Sequence, residues 1–192
     1  SKEDFAASFL PGSLFIGLDS QFAPWVGTLI TDMKKPILLV TDEGREEETV
    51  TRLARVGYDN SIGYLKGGLQ SWIKEGYPVD QLRELSSEEF ARLYQQDKTL
   101  HLLDVRKESE YNAQHILGAE NFPLDFINHN MSMLDRKKTY YMYCAGGYRS
   151  AITASILKVR GYEKIVNIKG GMTALSETSL PKSRYEEQKS ML

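Results

Sequence analysis

Cysteine is almost absent from this chain. Among 192 residues there is one, Cys144. A single thiol excludes an intramolecular disulfide framework and fits a reducing compartment, so a cytoplasmic location is expected. Histidine is scarce too. His101, His115 and His129 lack any close metal-ligand spacing, so neither a metal nor a cofactor is expected. Charge of one sign is not in excess. The net charge of −2 implies no polyanion partner, and no nucleic acid is expected. No run is apolar enough to span a bilayer, so no membrane partner is expected either. What is present is an ordinary globular mix, 41% hydrophobic and 26% charged, at a length that suits one or two domains.

The lone cysteine sits in an informative place. The β-rich run Thr139–Tyr143 ends at Cys144. Ala145, Gly146, Gly147, Tyr148 and Arg149 follow, and a helical pattern begins near Ser150. This order aims backbone N–H groups and a helix N-terminus at one sulfur, and both stabilise negative charge there. The loop is a candidate anion cradle with a nucleophile at its floor. The alternative is an inert, buried structural cysteine.

The chain also repeats itself. Val159-Arg160-Gly161-Tyr162 echoes Arg55-Val56-Gly57-Tyr58, Lys169-Gly170-Gly171-Met172 echoes Lys66-Gly67-Gly68-Leu69, and Leu117-Gly118-Ala119 echoes Pro11-Gly12-Ser13. Their order and near-constant spacing mark two copies of one unit. Each copy alternates short apolar runs with helical patterns, which predicts an α/β fold with a mostly parallel sheet flanked by helices. The first domain is expected over 1–85 and the second over 86–192, ending in a polar tail. In the second, Ser86 and Glu89 have the spacing of a capping box. Leu100–Val105 reads as a buried strand, and Tyr140, Tyr141 and Tyr143 as a half-buried one. Ser150–Arg160 reads as a helix with Ile152, Ile156 and Val159 on one face and Gly161 as its stop. Trp25 and Trp72 read as core or interdomain anchors.

Counting back from Gly57 and Gly161 sets Val40 opposite Cys144. The loop that follows in the first copy has no thiol and carries Asp42, Glu43, Glu46, Glu47 and Glu48. A noncatalytic structural copy is expected there. Asp4-Phe5 aligns with Glu110-Tyr111, so the counterpart of the Leu102–Arg106 strand is expected to precede Ser1 in a longer protein.

The pattern Cys-x-x-Gly-x-Arg-Ser at 144–150 resembles the active-site loop of the rhodanese family of sulfurtransferases. Leu102-Leu103-Asp104-Val105-Arg106 resembles that family's early strand motif. Glu110-Tyr111 with His115–Asn121 resembles its E-F/Y, G-H-I-P-G-A-x-N stretch, with Gln114 and Leu117 standing where Gly and Pro are usual. Ile168-Lys169-Gly170-Gly171 resembles its late strand–turn signature. In the first copy, Gly12-Ser13-Leu14-Phe15-Ile16-Gly17, Phe22-Ala23-Pro24-Trp25-Val26-Gly27 and Val40-Thr41-Asp42-Glu43-Gly44-Arg45-Glu46 resemble the degenerate rhodanese domain that lies between a metallo-β-lactamase domain and a C-terminal rhodanese domain in bacterial fusion proteins, whose first domain resembles iron-dependent persulfide dioxygenases.

The resemblance implies two tandem rhodanese-like domains and a catalytic Cys144 that carries sulfane sulfur as a persulfide. It implies small sulfur anions and thiols as partners, and residues 145–149 as their cradle. A fused or associated metallo-β-lactamase-like iron domain and a second copy of this chain are the protein partners it admits. Arg149 has two readings, a cation for substrate oxygens or a brace for the loop. Tyr148 either lines the pocket or is exposed. Asp104, Arg106, Glu110 and Ser150 are expected to support the loop, with Arg106 pairing with Glu110 and Asp104 tying strand to loop. His115 is expected to be structural. The rival reading is a cysteine-dependent phosphatase or arsenate reductase. Its loop carries Cys-x5-Arg, whereas the spacing here is Cys-x4-Arg, a smaller ring better suited to sulfane sulfur. A binding module with a merely redox-sensitive thiol is the third reading.

Overall fold

The computed structural model describes residues 1–183; the expected polar C-terminal tail lies outside them. The chain divides into two compact units, Ser1–Gln81 and Leu82–Leu192. The first holds α1 (Lys2–Ala7), α2 (Phe22–Leu29), β1 (Ile37–Leu39), α3 (Glu46–Ala54), β2 (Ser61–Tyr64) and α4 (Gly68–Lys74). Its two strands pair in parallel. Phe22, Val26, Leu39, Leu53 and Tyr58 form its core, and the Tyr58 hydroxyl donates to the Ile30 carbonyl at 2.5 Å. Trp25 is buried.

The second unit holds β3 (Arg83–Leu85), α5 (Ser87–Gln96), β4 (His101–Asp104), α6 (Glu108–Ala113), β5 (Ala119–Asn121), α7 (Ile127–Asn130), β6 (Tyr140–Tyr143), α8 (Tyr148–Val159), β7 (Ile165–Ile168) and α9 (Gly171–Ser176). Its five strands lie in the order β3-β7-β6-β4-β5, every pairing parallel. The second domain's sheet therefore takes in Arg83–Leu85, ahead of the expected start at 86. Three residues, two of them charged, suffice for an edge strand because β7 supplies the partner groups.

The capping box at α5 forms as expected. Ser86 Oγ accepts the Glu89 N–H at 3.1 Å, and the Glu89 carboxylate accepts the Ser86 N–H at 2.8 Å. Phe90, Ala91 and Tyr94 of α5 pack with Met172 and Leu175 of α9 against Leu102, Tyr141, Tyr143, Val166 and Ile168 of the sheet. The tyrosines of β6 are buried rather than half-buried. The reason is position: β6 is an inner strand with a neighbour on each side and helices over the sheet. Helix α8 is buried from Ser150 to Leu157. Ile152 and Ile156 lie inside as expected, but Val159, in its last turn, is exposed.

Both helices that follow the central loops stop in the same way. Tyr162 N–H bonds Leu157 O and Gly161 N–H bonds Lys158 O, while Tyr58 N–H bonds Leu53 O and Gly57 N–H bonds Ala54 O. These are the paired bonds of a Schellman stop, with glycine in the left-handed position. The repeated Gly-Tyr text thus encodes one local structure twice.

Candidate active site

Cys144 follows the last residue of the inner strand β6, at the carboxyl end of a parallel sheet, where such folds place ligands. Its side chain is buried. The Gly147 N–H donates to Cys144 Sγ at 3.1 Å. The Ser150 hydroxyl lies 3.6 Å from Sγ and 3.1 Å from the Gly147 carbonyl, so one proton serves two acceptors. Helix α8 begins at Tyr148, and its positive end faces the loop. Gly147 makes that start with φ +94°, a backbone angle that L side chains rarely adopt.

The loop is held from behind by α9. The Met172 N–H donates to the Cys144 carbonyl at 2.6 Å, and the N–H and hydroxyl of Thr173 both donate to the Ala145 carbonyl at 3.1 Å. A trans peptide points its C=O and N–H in opposite directions. Fixing these two carbonyls on α9 therefore turns the N–H groups of Ala145 and Gly146 away from it. Gly171 makes this docking feasible. A Cβ there would lie 2.3 Å from the Cys144 oxygen and 2.7 Å from the Ala145 oxygen. Gly171, Met172 and Thr173 were not among the expected site residues. Their signal was the adjacent glycines of Lys-Gly-Gly, repeated in both copies.

Beneath the loop the polar residues pair differently from expectation. Arg106 does not pair with Glu110. Its guanidinium grips Asp104, with Nη2 to Oδ2 at 2.6 Å and Nε to Oδ1 at 2.9 Å, and also donates to the Gln114 carbonyl at 2.6 Å. Two residues apart at the end of β4, this buried pair satisfies itself locally. Asp104 also accepts the Arg106 N–H at 3.0 Å. The Asn121 side-chain amide donates to the Asp104 and Arg106 carbonyls. The Tyr143 hydroxyl accepts the Ile116 N–H at 3.2 Å, and burial pushes its ionisation well above the ordinary tyrosine range. His115 stacks on Tyr111 and bonds its carbonyl, a structural arrangement.

Glu110 is taken by Arg149. The pair is bidentate, at 2.5 and 2.8 Å, and both side chains are partly buried. The Arg149 hydrogen bonds hold the Glu110 carboxyl below the usual carboxylate range, so it is ionised near neutral pH. Arg149 thus braces α8 against α6. Among the described residues, no group of three or more His, Cys, Asp or Glu is placed to hold a metal ion, and no helix is long and apolar enough to cross a membrane.

The first unit repeats the loop without its thiol. Leu39 pairs with Tyr64 as Met142 pairs with Asn167, and both matches are 103 residues apart. Gly44, with φ +83°, stands for Gly147. A Cβ on Gly68 would lie 3.2 Å from the Thr41 oxygen, as one on Gly171 would meet Cys144. The counterpart of Cys144 is therefore Thr41, not Val40. One extra residue between the loop and Gly161 shifts any count made back through the helix. Glu46 and Glu47 occupy the positions of Arg149 and Ser150.

Known proteins agree with this architecture. The chain is 34% identical over 94 residues to "Putative sulfur carrier protein YrkF" of Bacillus subtilis, a match covering 49% of this chain and 51% of that one. The chain thus spans about half the length of that relative. It is 31% identical over 103 residues to "Putative sulfurtransferase YtwF" of the same organism, covering 54% of this chain and 99% of that one. The solution structure of a rhodanese-like domain from Anabaena superposes with a TM-score of 0.50 at 27% identity, over 57% of this chain and 84% of that one. The family model of the rhodanese-like domain matches residues 1–75 and again 86–178, and the chain therefore belongs to the rhodanese-like family, with the domain present in tandem.

Proposed function

We propose that this chain is a sulfurtransferase that moves sulfane sulfur from thiosulfate or a low-molecular-weight persulfide to an acceptor through a persulfide on Cys144. The observation that carries the reading is the Cys144 sulfur at the head of α8, accepting the Gly147 N–H in a loop whose carbonyls are turned onto α9. The names of the relatives point the same way.

The chemistry is nucleophilic displacement at sulfur. The Cys144 thiolate attacks the outer sulfur of thiosulfate, the S–S bond of the donor breaks, and sulfite leaves with the bonding pair. Cys144 then carries a terminal persulfide anion. Cyanide, sulfite or a thiolate attacks the outer sulfur and releases the Cys144 thiolate. The sulfur species stays anionic throughout, so fixed N–H donors and a helix dipole serve both states without a proton transfer. The Arg149 fork, which a phosphate dianion would need for bidentate binding, is occupied by Glu110. That favours sulfur transfer over phosphate chemistry. Incubation with thiosulfate is expected to add the mass of one sulfur atom to the intact protein, and cyanide to remove it. A mass unchanged by thiosulfate and by glutathione persulfide alike would sink the reading.

The resemblance of the first domain to the linker domain of metallo-β-lactamase–rhodanese fusions supports a place in persulfide oxidation. In that setting an iron domain would use dioxygen to oxidise a persulfide to sulfite, and Cys144 would pass a second sulfane sulfur to that sulfite, giving thiosulfate. The chain by itself is then expected to transfer sulfur without consuming oxygen in the presence of glutathione persulfide. Oxygen uptake that persists after chelation would rule out this division of labour.

A further inference from the structure

Both arginines beside the thiol loop are matched by carboxylates. Arg149 presents its fork to Glu110, and Arg106 spends its own on Asp104. The charges cancel one for one. The Arg149 charge reaches the Cys144 sulfur through space but is offset by Glu110, and the groups that touch the sulfur carry fractional charge: the Gly147 N–H, the Ser150 hydroxyl and the positive end of α8, equivalent to roughly half an elementary charge. The attraction of such a cradle grows in proportion to ligand charge. The cost of removing an ion from water grows with its square, so a second charge on a small donor costs more than it recovers here.

We propose that Glu110 is a specificity-determining residue of this loop: by neutralising Arg149 it makes the site prefer sulfur donors with one negative charge over the dianion thiosulfate. The inference rests on the sulfurtransferase reading and names its donor class. Glu110 acts through Arg149 and not on the substrate, which makes it a positioning residue.

Methanethiosulfonate is the matching probe. It has nearly the shape of thiosulfate, with a methyl group in place of one sulfonate oxygen and one charge fewer. The Cys144 thiolate takes its outer sulfur and methanesulfinate leaves with the bonding pair. The experiment measures thiocyanate formation from each donor with cyanide as acceptor, using the full chain. Wild type is expected to show the lower KM for methanethiosulfonate. Glu110→Gln is expected to lower the thiosulfate-to-methanethiosulfonate KM ratio by about threefold to tenfold, with kcat changed less, as one partly screened unit charge is uncovered. Added salt should erode that gain. The double variant Glu110→Gln with Arg149→Gln should return the ratio to its wild-type value. An unchanged ratio in Glu110→Gln, or a shifted ratio that survives in the double variant, would overturn the proposal. If the variants do not fold, wild type still decides. A thiosulfate KM that climbs much more steeply with salt than the methanethiosulfonate KM reveals an uncompensated cation and overturns the proposal; parallel salt responses support it. Absence of turnover and of a Cys144 persulfide with both donors would instead defeat the sulfurtransferase reading.

Discussion

Cys144→Ser is expected to abolish sulfur transfer, by at least about ten-thousandfold, in line with removal of a catalytic nucleophile. The protein should still fold. Serine is slightly smaller than cysteine, and its hydroxyl would keep the Gly147 N–H and the Ser150 hydroxyl as neighbours. No hydroxyl or carboxylate of the first unit is expected to take over. Thr41 stands at the equivalent position, in a loop with Glu46 and Glu47 where the second has Arg149 and Ser150. The test is thiocyanate formation beside a circular dichroism melt of the same preparation. Near-normal turnover by a folded serine variant would move the chemistry elsewhere.

Gly171→Ala is expected to be the most damaging substitution that leaves the thiol in place. Its Cβ would fall 2.3 Å from the Cys144 oxygen, and its φ of +56° already disfavours any side chain. Helix α9 must then back away from the loop and lose the Met172 and Thr173 donors that hold the Cys144 and Ala145 carbonyls. We expect a loss of about 2–4 kcal/mol in stability and a fall in sulfur transfer of about a hundredfold or more, from misorientation of the reacting group. Gly146→Ala provides the stability control. A Cβ there meets nothing within 4 Å, so its unfolding midpoint should match that of wild type. Equal stability and equal turnover in Gly171→Ala would show that the loop keeps its shape without α9.

Much of this molecule is written locally. The capping box of Ser86 and Glu89, the Gly161 stop and its twin at Gly57, and the strand ending at Cys144 all follow from bonds between residues a few positions apart. Such features are legible because their partners lie within the same short window. The thiol loop was legible for the same reason: strand, cysteine, glycines and helix start are consecutive. The misreadings involve partners distant in sequence or an assumed register. Glu110 and Arg149 are 39 residues apart, and nothing in either neighbourhood says that they meet. The family resemblance implies a pairing of Arg106 with Glu110, but the structure sets Arg106 on Asp104, two residues back at the end of β4. A count back from the stop glycines sets Val40 opposite Cys144 because the stretch from the loop to that glycine is one residue longer in the second copy.

By itself, the sequence determined the α/β class, the tandem repeat, the strand-to-helix loop that holds the one cysteine and the absence of a cysteine from the first copy. These depend on residue type, periodicity and order, which the chain carries without folding. The tertiary structure decided which charges meet, which helix holds the loop from behind, and that the tyrosines of β6 are fully covered. Those are set by how the sheet orders its strands and stacks its helices. Parallel pairing brings together segments tens of residues apart, so no local window contains both partners.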